Sequence, residues 1–176
     1  MRAIFIFLAC LLTAMPIAAD SEFPVRIKAP GGEVILGNAR ERDVMHGQLT
    51  YAATRRAGDF VYISGLEIGP RTGEGRDVAA FKAQVRRGLT TIQTRLESAG
   101  ATFQHVVQLQ SFHNCDTPYF EGDFDAQLGA IVEVKAEFMK PPYSTWTALC
   151  VSGHYTESTV VEIQATAFAP IADEDP

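Results

Sequence analysis

The apolar pattern between positions 78 and 99 constrains the fold more than any other part of the sequence. Apolar side chains recur there at steps of three and four, which is the spacing of one face of an α-helix. They are Val78, Phe81, Val85, Leu89, Ile92, Leu96 and Ala99. Asp77 is a suitable N-cap and Gly100 suits the position after the helix end. The opposite face is predicted to be hydrated and carries Lys82, Arg86, Arg87, Gln93 and Arg95.

A second amphipathic helix is predicted to begin at Thr117-Pro118 and to end before Pro141. Threonine is a favoured N-cap, and proline is favoured at the first helical position. The predicted core face consists of Phe120, Phe124, Leu128, Ile131 and Val132. Each helix thus has one apolar stripe to bury.

The remaining pattern predicts strands. Residues 51–53 and 60–63 form a predicted hairpin, and further strands are expected at 106–112, 144–151 and 159–168, with a short candidate at 33–36. The order is β-β-α-β-α-β-β, with an additional N-terminal strand. The sequence therefore predicts an α+β fold, in which two helices cover one face of a single sheet. The other face must then meet water or another subunit.

Residues 1–19 have the layout of a secretory signal peptide: Arg2 precedes an apolar run, and Ala18-Ala19 precede the polar Asp20. A membrane anchor is the alternative, because the run of about 17 residues is close to the minimum for a bilayer span. Pro16 and the two alanines favour cleavage. We therefore expect a periplasmic or secreted protein without stable membrane association, with an N-terminal extension (20–47), a main domain (48–170) and a C-terminal tail (171–176).

Charge and residue spacing exclude several functional classes. The formal net charge of −6 argues against a nucleic-acid partner. No metal site is predicted, because the four histidines lack metal-ligand spacing, and no cofactor motif is present. The histidines are His46, His105, His113 and His154.

Two cysteines, Cys115 and Cys150, remain after the predicted cleavage. An exported protein can form a disulfide between them. Because two cysteines alone do not specify a bridge and small buried thiols are common, the sequence favours separate thiols.

Glu162 is the most informative candidate for chemistry. Alternation along the last strand places Val161, Ile163, Ala165 and Ala167 under the helices. Glu162 then lies in mid-strand on the face without helices. It is either an ordinary solvent-facing residue or a carboxylate lining a pocket between subunits, where it could orient a water molecule or hold a cationic group.

The ordered segments resemble those of the Rid family, also called YjgF-type proteins. They are Tyr51-Ala52-Ala53, "AGDFVYISGLEIGPRTGEG", "LESAGAT", "VVQLQSFHNC", "PPYSTW" and "VVEIQATA", and the likeness spans about residues 48–169. The resemblance implies a chorismate-mutase-like fold and a homotrimer with ligand pockets between subunits. Active members of the family hydrolyse enamines and imines without a cofactor.

The resemblance also implies roles for individual residues. Glu162 matches a late glutamate that helps to position the attacking water and is the predicted catalytic residue. Tyr51 matches an early pocket tyrosine, and Ser64-Gly65 matches a Ser-Gly pair that lines the pocket through its backbone.

Tyr143 and Thr145 mark a departure from the family pattern. The family arginine that holds a substrate carboxylate lies in Pro-Ala-Arg-Ser, and this chain has Pro141-Pro142-Tyr143-Ser144. The cysteine that follows in the family is Thr145 here. A tyrosine hydroxyl cannot replace a bidentate cationic fork, so a flatter, less anionic ligand is expected, with Trp146 a further candidate neighbour.

These observations predict an exported homotrimer that binds a small metabolite at its subunit interfaces, with or without residual hydrolytic activity. Two alternatives remain. One is a true enamine/imine deaminase that releases ammonia, and the other is a trimeric interaction protein with vestigial pockets.

Overall fold

Seven β-strands form one sheet in the computed structural model, which describes residues 22–171. The strands are β1 (Val25–Ala29), β2 (Gly32–Leu36), β3 (Thr54–Ala57), β4 (Phe60–Ile68), β5 (Val106–Asn114), β6 (Thr145–Val151) and β7 (Val161–Phe168). The helices are α1 (Val78–Ser98) and α2 (Phe124–Phe138), with short helical turns at Glu41–His46 and Phe103–His105. The predicted signal peptide, 1–19, lies outside the described residues.

The strand order in the sheet is β1-β2-β3-β4-β7-β5-β6. Every neighbouring pair is antiparallel except β5 and β6, which are parallel. Helix α2 connects that parallel pair, because parallel neighbours require a crossover rather than a tight turn. Both helices pack on one face of the sheet, so the predicted α+β fold with a single mixed sheet is confirmed.

Helix α1 follows the sequence prediction closely. The Asp77 side chain accepts a hydrogen bond from the Ala80 N–H at 2.9 Å, as an N-cap does. The apolar stripe from Phe81 to Leu96 is buried against the sheet. Gly100 follows the helix end with φ of 73°, a left-handed conformation that favours glycine.

The start of the second helix is predicted wrongly. Helix α2 begins at Phe124, and its N-cap is Asp123, whose side chain accepts from the Ala126 N–H at 2.9 Å. The chain from Thr117 to Gly122 instead packs irregularly against α1, where the Phe120 and Phe81 rings lie 4.9 Å apart. The core face also differs, since Val132 is exposed and the buried residues are Gln127, Ala130, Ile131 and Val134.

The hairpin prediction is displaced by three residues. Strand β3 covers 54–57 rather than 51–53, because Gly58-Asp59 makes a two-residue turn that pairs Ala57 with Phe60. Arg56 of β3 is buried. Its guanidinium donates to the carbonyls of Ala99 at 2.6 Å and Ala169 at 2.9 Å. The charge therefore ties the ends of α1 and β7 to β3.

Arg95, predicted on the hydrated face of α1, is also buried. Its Nε donates to the Glu41 carboxylate at 2.9 Å, and Glu41 also accepts from the Gly37 N–H at 2.7 Å. The sequence could not indicate this pair, because Glu41 lies 54 residues earlier in a short helical turn.

The expectation of two separate thiols is wrong, because Cys115 and Cys150 form a disulfide. The parallel register pairs His113 with Cys150, which brings the residue after β5 to within 5.6 Å, Cα to Cα, of its partner on β6. That distance is typical of disulfides. Neither strand pattern reveals the register, so the pairing could not be predicted.

The face of the sheet without helices is partly apolar. Phe60, Tyr62 and Phe168 project from it and are exposed, and the Phe60 and Phe168 rings lie 5.2 Å apart. Of the helices in the described part of the chain, none is long and apolar enough to span a membrane.

Candidate functional site

Glu162 lies in the middle of β7 on the face without helices, as alternation predicts. Its neighbours across the sheet are Glu67 on β4 and Phe112 on β5. The residues on either side of it in β7 are buried under the helices, whereas Glu162 is only partly buried. The side chain is thus held by a rigid element with its carboxylate free of the hydrophobic core.

Gly65 makes room for this carboxylate. The β4–β7 register shifts between Ile63 and Leu66, and Gly65 lies in that irregular stretch. A Cβ atom on Gly65 would lie 1.7 Å from Glu162 Oε1, so only glycine permits the observed position. Gly65, one member of the Ser-Gly pair in the sequence prediction, therefore leaves space for the carboxylate because it has no side chain.

A cavity of about 890 Å³ opens beside Glu162. Tyr51, Ser64, Gly65 and Glu162 all line it, so four of the six predicted site residues meet at one place. The Ser64 hydroxyl donates to the Ala52 carbonyl at 2.6 Å, and the Ser64 N–H donates to Ala53 at 3.0 Å. Both groups hold the segment that carries Tyr51, which positions that ring at the cavity.

Tyr143 and Thr145 do not line this cavity. Thr145 on β6 pairs with Gln108 on β5, which in turn pairs with Thr166 on β7. Thr145 is therefore two strands away from β7, at the level of Thr166, and Thr166 is four residues from Glu162. Strand dimensions put the two positions about 16 Å apart. Tyr143 is exposed, and the Thr145 hydroxyl donates to the Val107 carbonyl at 3.0 Å. Within one chain Thr145 lies at the far end of the uncovered face, and Tyr143 lies two residues before it.

Trp146 is not a pocket residue, contrary to the suggestion from sequence. It points to the opposite face of β6, where Lys135 of α2 lies 4.0 Å above its ring. Burial there lowers the pKa of Lys135. The indole Nε1 donates to Ser111 Oγ at 2.9 Å, and Ser111 Oγ also contacts His113 Nε2 at 2.9 Å.

His113 completes that internal network. Its Nδ1 lies 2.8 Å from Gln127 Oε1 of α2, and its side chain is fully buried. Burial, partly offset by the hydrogen bond to Gln127, lowers the pKa of His113. The neutral imidazole therefore joins β5 to α2 beneath the sheet.

Sequence reasoning missed the immediate neighbours of Glu162. His154, on the loop between β6 and β7, places Nδ1 at 3.5 Å from Glu162 Oε2. Glu67 accepts two hydrogen bonds from Thr156, from its N–H at 2.9 Å and its hydroxyl at 2.5 Å. Glu67 lies 87 positions before His154 along the chain, so no spacing pattern could have joined them. Only the pairing of β4 with β7 brings Glu67 opposite Glu162.

Three arginines border the cavity: Arg40, Arg71 and Arg87. Arg87 is committed to Glu74, at 2.7 Å and 3.1 Å, and these hydrogen bonds hold the pKa of Glu74 below its usual range. Within residues 22–171, neither the Arg40 nor the Arg71 guanidinium forms an ion pair. Cationic groups are thus present although the sequence lacks the expected arginine at position 143.

Comparison with known proteins assigns the family. A model of the endoribonuclease L-PSP family matches residues 45–169, more than half of the chain. The RutC family protein YjgH of Escherichia coli K12 is 33% identical over 112 residues, which are 63% of this chain and 78% of the relative.

Solved structures agree with this assignment. One described as protein YJGH has a TM-score of 0.55 at 30% identity, over 73% of this chain and 90% of that one. RidA from the Antarctic bacterium Psychrobacter has a TM-score of 0.54 at 25% identity, over 68% of this chain and 88% of that one. The chain therefore belongs to the endoribonuclease L-PSP family, the Rid or YjgF-type family whose segments its sequence resembles.

Proposed function

We propose that this chain is an exported protein that binds a small metabolite in a pocket lined by Tyr51, Ser64, Gly65 and Glu162. The pocket lies at the subunit interfaces of a homotrimer. Glu162 orients a water molecule there for hydrolysis of a C–N bond, without an organic cofactor. The name of the matching family refers to RNA cleavage, but the net charge of −6 does not favour a polyanionic substrate.

The cavity beside Glu162 carries this proposal. Its volume of about 890 Å³ lies in the range of small-molecule pockets. It combines the aromatic ring of Tyr51 with the carboxylate of Glu162. The ring can stack on a planar ligand, and the carboxylate can accept a proton from water. A plain solvent-facing glutamate would not require the glycine that makes room for it at position 65.

The uncovered sheet face supports the assembly. It carries exposed Phe60, Tyr62 and Phe168, and apolar clusters of this kind mark interaction surfaces. Thr145 lies on the same face, far from Glu162 in its own chain, and Tyr143 lies two residues before it. Packing of three such faces would bring the Tyr143 end of one chain towards the cavity of another.

Imine hydrolysis tests the proposal directly. An amino-acid oxidase generates imines in situ, and ammonia release is followed with and without the protein. We expect acceleration that Glu162→Gln abolishes and that Glu157→Gln, an exposed carboxylate on the β6–β7 loop, preserves. A metabolite screen by thermal shift covers ligands that are bound but not hydrolysed. If no compound raises the melting temperature and no imine is hydrolysed, the vestigial-pocket alternative is correct.

A deaminase acting on anionic 2-imino acids is a second candidate, favoured by Arg40 and Arg71. Both line the same cavity as Glu162 and can supply the positive charge that Tyr143 lacks. Arg40→Gln and Arg71→Gln should then raise KM for a 2-imino acid but not for a neutral imine of similar size. Equal effects on both substrates would contradict a carboxylate-binding role.

A further inference from the structure

We propose that Glu67, His154 and Glu162 form a binding site for a divalent transition-metal ion in the wall of the cavity. The sequence predicts no metal site, and the function proposed above requires none. The inference rests on three features of the fold. They are the convergence of the three side chains, the burial of the His154 ring without a hydrogen bond, and the hydrogen bonds that orient Glu67.

The three side chains converge from separate elements. One ligand atom of each lies within 4.8 Å of the other two. Glu67 and Glu162 are directly opposite in the β4–β7 pair, so both carboxylates project from the same face of the sheet. Metal–ligand bonds of about 2.0–2.2 Å place neighbouring ligand atoms roughly 3–4 Å apart. Small side-chain rotations would therefore close the group around one ion.

His154 is the observation that points to a ligand. Its side chain is only 4% exposed, and among residues 22–171 it makes no hydrogen bond. Nε2 is buried without a partner, and Nδ1 faces the Glu162 carboxylate at 3.5 Å. Buried polar groups in proteins almost always have a partner. Nδ1, the nitrogen that faces the two carboxylates, also makes no hydrogen bond among residues 22–171, and a cation held between it and the carboxylates would give that nitrogen a partner.

Glu67 is already oriented as a metal ligand would be. The Thr156 N–H and hydroxyl each donate to one of its carboxylate oxygens, and both oxygens keep a lone pair for an ion. Such outer-sphere hydrogen bonds fix ligating carboxylates in metal sites. Among residues 22–171, no lysine or arginine forms an ion pair with Glu67 or Glu162, so His154 is the one basic side chain within ion-pair distance of these two carboxylates.

The donor set defines the chemical class of the ion. One imidazole and two carboxylates suit first-row transition ions such as Zn²⁺ or Mn²⁺, whereas Mg²⁺ and Ca²⁺ prefer oxygen ligands alone. Glu67 and Glu162 line the cavity. Coordination positions not filled by the protein would therefore be open to water or to a bound metabolite.

Metal titration of the full-length, chelator-treated protein tests the site. Co²⁺ binding is followed by visible absorption and Zn²⁺ binding by calorimetry, with no metabolite present. We expect saturable binding of one ion per chain. Glu67→Gln and His154→Gln should each weaken it at least about tenfold, and Thr156→Val, which removes only an outer hydrogen bond, should weaken it about tenfold. Glu157→Gln is the matched control on the same loop and should bind normally.

Absence of saturable Co²⁺ and Zn²⁺ binding would overturn the proposal, as would equal binding by the Glu67→Gln variant and the control. Mg²⁺ affinity equal to that of Zn²⁺ would overturn the assignment to transition metals. Thermal melts followed by circular dichroism establish whether each variant is folded. If His154→Gln does not fold, the near-isosteric Glu67→Gln still tests the site. Because the readout is metal occupancy, failure here is distinct from failure of imine hydrolysis.

Discussion

The contact between Gly65 and Glu162 shows how a single backbone position controls a functional side chain. The carboxylate occupies the space that any other residue at position 65 would fill with its Cβ. The glycine is therefore required by a close approach, since its φ is not in the left-handed region.

Gly65→Ala should displace the Glu162 carboxylate. We expect loss of ligand binding or hydrolysis together with a destabilisation of about 1–3 kcal/mol from overpacking. Gly129→Ala is the matched control, because a Cβ there meets no atom within 4 Å. In the middle of α2 that change should stabilise by about 0.5–1 kcal/mol. Thermal unfolding and the activity assay measure both effects, and a fully active Gly65→Ala variant would contradict the steric argument.

At the scale of elements, the disulfide fixes the end of the only parallel strand pair in the described sheet. Cys115 follows β5 and Cys150 lies on β6, with α2 in the enclosed segment of 35 residues. Reduction frees that segment only in the unfolded chain, because the strands and helix hold it in the folded one.

Cys115→Ser with Cys150→Ser should lower the free energy of unfolding by about 3–4 kcal/mol, from the loop-closure entropy of the 35-residue segment. Urea unfolding of the wild type and of the double variant measures this difference. The wild type treated with reductant serves as the second arm and should approach the stability of the variant. Unchanged stability in both arms would show that the bridge adds nothing to the fold.

The sequence was sufficient where structure depends on local periodicity. The stripe of α1, the Asp77 cap and the alternation that places Glu162 on the uncovered face all follow from neighbouring residues. It failed where partners are distant. Arg56 donates to two backbone carbonyls that are 43 and 113 residues away, and the Cys115–Cys150 bond depends on a parallel register. His154 and Glu67 were missed beside Glu162 for the same reason.

At the scale of the whole molecule, one face of the sheet has no helices to cover it in the chain described here. The aromatic cluster of Phe60, Tyr62 and Phe168 lies on that face. The trimer proposed above would bury this face.

Tyr62→Glu should therefore disrupt assembly, because it places a charge in the proposed apolar interface. Val132→Glu on α2 is the matched control, since Val132 and Tyr62 are similarly exposed at 50% and 47% but lie on opposite sides of the molecule. Size-exclusion chromatography with light scattering should give a trimer for the wild type and the control, and smaller species for Tyr62→Glu. A monomeric wild type would refute the interface.

The position of Tyr143 outside the cavity that Glu162 lines in the same chain has a genetic consequence in such an assembly. A chain defective at Glu162 still carries an intact Tyr143 end, and a chain defective at Tyr143 still carries an intact cavity. Trimers assembled from both kinds of chain would contain some interfaces in which an intact cavity meets an intact Tyr143 end. An allele that inactivates Glu162 and one that inactivates Tyr143 should therefore complement each other in a cell that expresses both. Two alleles that both inactivate the cavity should not.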